Sequence, residues 1–361
     1  MVSASARRVF AAIVAAGLSA LPLAAASAEP AAGTAETLTR FAIELPASVT
    51  ANAAVRAPLE QLGREKCDQT AILDLAKALE QAGYRREAAV AEVNFSSQCG
   101  GYAAALRDAI NILLKLSDFT TAEHVAGNLI KLEPYSDNGY FLRALARDGN
   151  GSPKSAIDDY ITAIELFGNK DRISSVSYYK MARDYEKLGQ FCDAMLAIQR
   201  WVALDPSRHD TSQSRAMLAD YAAKGGCAAA TSGGTETFPL ARRGGVLTLP
   251  VTVNRASATL VLDTGASFVV LKDSFARKAG IDLDEGRSVH VLTANGVADG
   301  KLGRASTIQL RSLKATGVPV VVEPDSAAAF HADGLLGLSF LSRFNVTIDA
   351  HTIRIAPRKP R

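Results

Sequence analysis

This 361-residue sequence has few residues of the kinds that bind metals, and its net charge is small. It contains four cysteines and five histidines, with no C-x-x-C pair and no H-x-x-x-H or H-E-x-x-H spacing, so we predict no metal site. No cofactor is expected either. The formal net charge of +3 argues against a nucleic-acid-binding protein. With 48% hydrophobic residues, the composition is that of a soluble globular chain with room for two or three domains.

Two enzyme classes are disfavoured because their motifs are incomplete. Ser267 and Ser339 lack the G-x-S-x-G elbow of many serine hydrolases. Residues Gly149–Ser152 are glycine-rich like a phosphate-binding loop, but no G-K-[ST] follows them, and a turn between two helices accounts for them. Neither segment therefore predicts a catalytic site.

The first 28 residues predict a signal peptide. Arg7 and Arg8 precede an alanine-rich apolar run from Val9 to about Leu23, and Ala26-Ser27-Ala28 has the form of a cleavage site. We expect cleavage after Ala28 and export of the mature chain. The alternative is retention as an uncleaved membrane anchor, which the length of the run permits but its alanine content and a proline disfavour. No other segment is apolar enough to span a membrane.

A poorly structured leader is expected at residues 29–50, and the sequence from 51 to 224 then repeats itself. Small or apolar residues recur with steps of 34, 34 and 38 residues at two positions of a helical hairpin. Glycine stands in the turn between the paired helices of three units. The first-helix residues are Ala76, Ile110, Ala144 and Ala182, the second-helix residues are Ala88, Ala122, Ala156 and Ala194, and the turn glycines are Gly83, Gly151 and Gly189.

A 34-residue helical hairpin with alanines at its close contacts resembles the tetratricopeptide repeat. Such units stack into a solenoid, and an amphipathic helix at about Thr211–Lys224 is expected to cap it. The following segment, 225–239, is rich in Gly, Ala, Ser and Thr and predicts a linker. Solenoids of this kind bind peptides or partner proteins on the concave face. The alternative is that this arm only stabilises or orients the next domain.

The four cysteines all lie in the arm or at its edge, and sequence alone allows three pairings. In the repeat frame, Cys67 and Cys99 fall at the same end of the first hairpin. Cys192 begins the second helix of the fourth unit, and Cys227 follows the cap helix. This arrangement favours Cys67–Cys99 and Cys192–Cys227, and export is compatible with disulfides. Loops of this length would each contribute about 3–4 kcal/mol in the chain-entropy model.

The strongest chemical signal is the stretch Val261-Leu262-Asp263-Thr264-Gly265-Ala266-Ser267. Two apolar β-formers lead into an acid, and a second apolar strand, Phe268–Leu271, leaves the turn. The pattern predicts a carboxylate held at a strand end. Gly265 permits close approach of backbone or a partner, Thr264 can hydrogen-bond across a neighbouring strand, and Ser267 can orient the Asp263 carboxylate.

This turn resembles the active site of the retropepsin-like aspartic proteases, and the resemblance covers about residues 240–357. It implies that Asp263 is catalytic and that Thr264, Gly265 and Ser267 support its loop. It also implies a β-hairpin flap that covers substrate, and residues 289–303 fit it, with Thr293, Ala294, Asn295 and Gly296 at or near the tip. A hydrophobic-hydrophobic-glycine segment that braces the catalytic loop is matched by Leu335, Leu336 and Gly337.

One departure concerns the residue after Gly337. Retroviral members have an arginine there, whereas this chain has Leu338, so the arginine-based brace is not expected. The predicted fold is multidomain α plus β, with an all-α tetratricopeptide-like solenoid followed by a mainly-β retropepsin-like domain and a basic tail at 358–361. The bacterial character of the protease-like domain makes the periplasm the expected compartment.

The chemistry of this family needs two carboxylates that share one proton, one acting as base towards water and the other as acid towards the carbonyl oxygen. The chain has a single Asp-Thr-Gly, so the resemblance implies a homodimer through the protease domain, with Asp263 from each protomer. We expect an aspartic endopeptidase that acts on protein or peptide substrates, with the arm recruiting the substrate or a partner. The alternative is a catalytically silent scaffold that uses the protease-like domain for dimerisation or peptide binding.

Overall fold

The computed structural model describes residues 32–168, 173–227, 231–240, 246–293, 296–327 and 332–358. The predicted signal peptide and all but the first residue of the predicted tail lie outside these ranges. The described part of the chain up to Gly225 is helical. Its helices are α1 (Ala32–Arg40), α2 (Ala47–Thr50), α3 (Ala53–Arg64), α4 (Gln69–Gln81), α5 (Arg85–Gln98), α6 (Ala103–Lys115), α7 (Phe119–Leu132), α8 (Asp137–Gly149), α9 (Pro153–Leu166), α10 (Ser175–Lys187), α11 (Phe191–Leu204), α12 (Pro206–His209) and α13 (Ser212–Gly225).

The predicted repeat units are present as the antiparallel hairpins α4/α5, α6/α7, α8/α9 and α10/α11, with α13 packed on α11 as the cap. All eight repeat positions named from the sequence are completely buried, as close contact between helices requires. Asp68 and Asp118 cap the first helix of the first unit and the second helix of the second by accepting backbone N–H bonds. The sequence period therefore predicted both the helices and their packing.

A left-handed backbone residue stands in the turn of every hairpin. Gly83, Gly151 and Gly189 have φ of 90°, 72° and 71°, and Ser117 takes the same place in the second unit with φ 57°. Glycine adopts this conformation without the steric cost that a Cβ imposes. The second unit therefore forms the same turn from a less suitable residue.

The prediction of a poorly structured leader at residues 29–50 is wrong for the residues of this segment that the structure describes. Residues Ala32–Arg40 form α1, which packs on α3, and Phe41 and Ile43 are buried in the core of the first repeat. The Asn94 side-chain amide donates to the Phe41 carbonyl at 2.7 Å. This segment has weak local signals, and its order comes from the apolar surface that the first repeat offers it.

Both predicted disulfides are present in the arm. Cys67–Cys99 links the start of α4 to the end of α5, with 5.6 Å between the Cα atoms. Cys192–Cys227 links the start of α11 to the second residue after the cap helix, with 5.5 Å between the Cα atoms. Each bridge therefore closes one end of a helical pair.

The rest of the described chain is mainly β. The elements are β1 (Thr231–Ser232), β2 (Glu236–Pro239), β3 (Thr248–Val253), β4 (Ala256–Leu262), β5 (Val269–Lys272), α14 (Asp273–Lys278), β6 (Asp282–Thr293), β7 (Gly296–Leu310), β8 (Leu313–Glu323), β9 (Gly334–Leu336), α15 (Leu338–Leu341), β10 (Phe344–Ile348) and β11 (Thr352–Pro357). The strands pair in the order β1-β8-β5-β9-β4-β3-β7-β6, and a further pairing of β7 with β8 closes the sheet into a barrel. A smaller sheet has the order β10-β11-β2.

The predicted linker, 225–239, contains strands that belong to the β domain, which is a correction to the domain boundary. Strand β1 pairs with β8, and β2 pairs with β11. Phe238 in β2 is almost completely buried, and the Arg311 guanidinium lies 4.4 Å from its ring centroid. The small and polar residues of this segment predicted a flexible linker. The described part of the segment is ordered instead, because its backbone pairs with distant strands.

The helical arm and the β domain share a hydrophobic core. Helix α9 packs against β6, and Asp193 at the start of α11 forms a bidentate ion pair with Arg304 of β7 at 3.0–3.1 Å. The apolar residues that the β domain contributes to this shared core are Phe268, Val289, Val291, Leu302 and Val321. The arm therefore packs directly on the strands and the turn that carry the candidate site.

Candidate active site

Asp263 lies directly after β4, where two neighbouring strands hold the backbone. Strand β9 runs parallel to β4, with Leu335 opposite Val261 and Leu336 opposite Leu262. The Asp263 N–H donates to the Leu336 carbonyl at 3.2 Å. The apolar strand residues thus fix the point at which the acid leaves the sheet.

The Asp263 carboxylate is held by the backbone of its own turn. Its Oδ1 accepts hydrogen bonds from the Gly265 N–H at 2.8 Å and the Ala266 N–H at 3.3 Å. These bonds fix the direction of the carboxylate. Asp263 is partly exposed, and Thr264 and Gly265 are exposed. The acid therefore faces open space on one side while its backbone is anchored on the other.

Ser267 lies in the same turn but occupies a different environment from the one expected for a carboxylate support. It is 4% exposed, and within the described residues the hydrogen bonds to the Asp263 carboxylate come from backbone N–H groups, not from the Ser267 hydroxyl. The direct support that the sequence suggested for Ser267 is therefore supplied by Gly265 and by Ala266, a residue for which no role was predicted.

The predicted brace lies against the turn. A Cβ placed on Gly337 would lie 2.0 Å from the Phe268 carbonyl oxygen and 2.6 Å from that of Ala266, so only glycine fits there. The next residue, Leu338, donates its N–H to the Ala266 carbonyl at 2.8 Å. The Ser339 hydroxyl, fully buried, accepts the Val269 N–H at 2.8 Å. The sequence does not indicate this bond, because its donor and acceptor are 70 residues apart.

Leu338 occupies the place of the retroviral arginine and is buried. An arginine nevertheless reaches this segment from five residues further along. Arg343 donates to the Ser339 carbonyl at 3.1 Å and to the carbonyls of Thr316 and Gly317 at 2.6 and 3.0 Å. It therefore ties α15 to the bend within β8. Because every residue has a backbone carbonyl, the sequence does not indicate which of them Arg343 contacts.

The predicted flap corresponds to the end of β6 and the start of β7, which pair from Ser288 opposite Lys301 to Thr293 opposite Gly296. Gly296 is exposed and has φ 108°, as a hairpin turn requires. The predicted tip residues Ala294 and Asn295 lie outside the described residues. The hairpin is therefore present up to the two residues that flank its tip.

The helical arm contacts the flap strands. His290 of β6 meets Tyr135 and Tyr140 of the arm edge-on, with ring centroids 6.3 and 5.7 Å apart. Beside it lies a cavity of about 380 Å³, whose lining includes Arg143 and Asp159. Those two side chains pair with each other at 2.7–2.8 Å. The cavity lies between the arm and β6 and is distinct from the Asp263 turn.

No three His, Cys, Asp or Glu side chains of the described ranges are grouped so that they could hold a metal ion. No helix in that part of the chain combines the length and the apolar character needed to cross a membrane.

Comparison with known proteins connects both parts of the chain to known folds. Residues 249–343 match the family model described as gag-polyprotein putative aspartyl protease. A retropepsin-like aspartic protease from Rickettsia conorii is 23% identical over 35% of this chain and 94% of its own, with a TM-score of 0.28. MamA from Desulfovibrio magneticus RS-1, from residue 41 to its end, is 16% identical over 50% of this chain and 99% of its own, with a TM-score of 0.37.

A second MamA crystal structure is 15% identical over 55% of this chain and 94% of its own, with a TM-score of 0.35. A search of the curated proteins gave no match. The N-terminal region is a tetratricopeptide-like helical region and the C-terminal domain is a retropepsin-like β-barrel, as the sequence predicted.

Proposed function

We propose that this protein is an exported aspartic endopeptidase whose active site forms when two copies bring their Asp263 turns together. The observation that carries the proposal is the Asp263 carboxylate itself. It stands at the end of β4, accepts two hydrogen bonds from its own turn, and leaves Thr264 and Gly265 exposed beside it. This arrangement suits a carboxylate that must act on a bound group, and the match of residues 249–343 to an aspartyl protease family supports it.

The proposed chemistry uses two Asp263 residues that share one proton. The ionised carboxylate takes a proton from a water, whose oxygen attacks the peptide carbonyl carbon, while the protonated carboxyl donates to the carbonyl oxygen. Proton transfer to the leaving nitrogen then accompanies cleavage of the C–N bond. The flap hairpin around Gly296 would cover the substrate. The pair would titrate as a unit rather than as two independent groups.

Export and the role of the arm are part of the same proposal. The two disulfides indicate an oxidising compartment, and cleavage of the predicted signal peptide after Ala28 would release the mature chain into the periplasm. The arm would recruit a protein substrate or a partner through its solenoid surface.

The test is a cleavage assay with the mature chain, residues 29–361, on a mixture of unfolded proteins over a series of pH values, with products identified by mass spectrometry. Asp263→Asn should abolish cleavage. The matched control, Asp273→Asn, removes a partly exposed carboxylate of the same domain and should leave cleavage unchanged. Absence of cleavage from a wild-type dimer at every pH would contradict the protease and favour the silent scaffold.

Mixing wild type with Asp263→Asn tests the shared site. If each active site needs both aspartates, an equal mixture that exchanges subunits leaves about half of the original activity per wild-type chain, since half of those chains pair with a variant. A site complete within one chain would retain its full activity on mixing, and the proposed dimeric dyad would then be wrong.

A further inference from the structure

The arm buries an ion pair at its boundary with the β domain. Arg200 of α11 and Glu165 of α9 have side chains that are 4% and 9% exposed, and Arg200 Nη2 lies 3.2 Å from Glu165 Oε1. Removing two charges from water costs free energy that their mutual attraction only partly offsets. An apolar pair of similar size would pack the same space, so the pair itself gives little reason to expect a role in arm stability alone.

The guanidinium of Arg200 faces the β domain through an aromatic ring. It lies 4.2 Å from the centroid of Phe268, which is itself 4% exposed. The Arg200 Nε is buried with no hydrogen-bond partner in the described part of the chain. A cation over a ring face is attracted by the ring quadrupole, and the attraction is strongest where both groups are shielded from water. Phe268 is therefore held in place by a charged group of the arm.

Phe268 is the residue that joins the catalytic turn to β5. It follows Ser267 directly. Gly337 packs so closely on the Phe268 backbone that a Cβ at position 337 would clash with the Phe268 carbonyl oxygen. The next N–H, that of Val269, donates to Ser339. The β domain thus holds the backbone of this residue, whereas Arg200 holds its ring. A displaced ring would pull on the turn whose N–H groups orient Asp263.

We propose that Arg200, held by Glu165, is a positioning residue for the catalytic turn and acts on Asp263 through the ring of Phe268. This inference rests on the proposed protease function, and it makes the helical arm part of the active-site framework in addition to any recruiting role. Arg200 touches neither substrate nor the reacting atoms. Its effect is to restrict the turn to the geometry in which Gly265 and Ala266 hold the carboxylate.

The kinetic test compares Arg200→Met, Arg200→Lys and the control Arg208→Met, all in the mature chain. Arg208 is an arm arginine with a side chain that is 69% exposed. On a peptide substrate taken from the cleavage assay, Arg200→Met should lower kcat about tenfold with little change in KM, because the loss is one of orientation. Arg200→Lys keeps the cation and should recover part of kcat. Arg208→Met should match wild type.

The structural test measures amide hydrogen exchange and does not depend on turnover. In Arg200→Met, exchange at residues 264–269 should be about tenfold faster than in Arg208→Met, while helices α4–α7 keep their protection. Adding Phe268→Leu to Arg200→Met should cause little further change, since the two act through one contact.

Several results would overturn the proposal. These are unchanged exchange at the turn, a loss of protection spread equally over the arm and the barrel, and a fall in activity that follows only the folded fraction. If wild type cleaves nothing, the proposed function fails, and the exchange data alone then decide whether Arg200 positions the turn.

Discussion

Replacing the buried Glu92 by glutamine is expected to stabilise the helical arm at neutral pH and to leave its stability near pH 4 unchanged. Glu92 lies on α5 and is completely buried. Burial raises the pKa of Glu92 to about 10, and repulsion from Asp108 and Glu80 adds to the shift. A hydrogen bond between the Glu92 and Asp108 side chains also raises the pKa, because one of two facing carboxyl groups must hold a proton to form it.

The sign of the effect follows from the protons bound in each state. In the unfolded chain the Glu92 carboxyl loses its proton near its ordinary pKa of 4.5, whereas the folded arm keeps the proton up to about pH 10. Between these values the folded state binds more protons, so the free energy of unfolding decreases as pH rises. At about 1.4 kcal/mol per pH unit, the free energy of unfolding falls by about 3 kcal/mol between pH 4.5 and pH 7.

Glutamine has the size of a protonated glutamate and does not ionise, so Glu92→Gln removes this dependence. The assay is urea unfolding of the mature chain at several pH values, followed at the helical circular-dichroism band, which reports mainly on the arm. Glu87→Gln, at a partly exposed position of the same helix, is the matched control and should leave the pH dependence as in wild type. If Glu92→Gln differs from wild type by the same free energy near pH 4 and pH 7, the raised pKa is refuted.

Three further predictions concern single features of the two domains. Ser117→Gly should stabilise the arm by about 1 kcal/mol in urea unfolding, because φ at this position is 57°, whereas Ser117→Ala should bring no gain. Changing Cys192 and Cys227 together to serine should lower the free energy of unfolding by about 4 kcal/mol. A reductant should then destabilise this variant only by breaking Cys67–Cys99. Gly337→Ala should destabilise the β domain by about 3 kcal/mol or more and abolish cleavage, since the new Cβ meets backbone oxygens; a thermal midpoint equal to that of wild type would contradict this.

The features that the sequence predicted well depend on local pattern. A 34-residue period places the packing residues of each hairpin, and every one of them, from Ala76 to Ala194, is buried. The same frame placed Cys67 beside Cys99 and Cys192 beside Cys227. The turn at Asp263 is likewise a local motif, because strand, acid and glycine follow one another directly.

The features that the sequence did not predict depend on partners far along the chain. The leader around Phe41 is ordered by the first repeat, and β2 is ordered by β11, more than a hundred residues later. The apolar content of these segments is too small to predict a helix or a strand until the surface that receives them is known. The structural role of Ser339 was not predicted for the same reason, since it comes from the Val269 N–H rather than from its neighbours in sequence.

The helical repeats, the disulfide pairing and the position of the acid in a strand-end turn could be predicted from the sequence, because each depends on spacing within one short segment or one repeat. The contacts that hold the acid in place arise only in the folded chain. The backbone bonds of the turn, the packing of Gly337 on Phe268 and the Arg200 guanidinium over the same ring join segments that are distant in sequence. Such contacts depend on where the arm packs against the barrel, and no periodicity or motif encodes that arrangement.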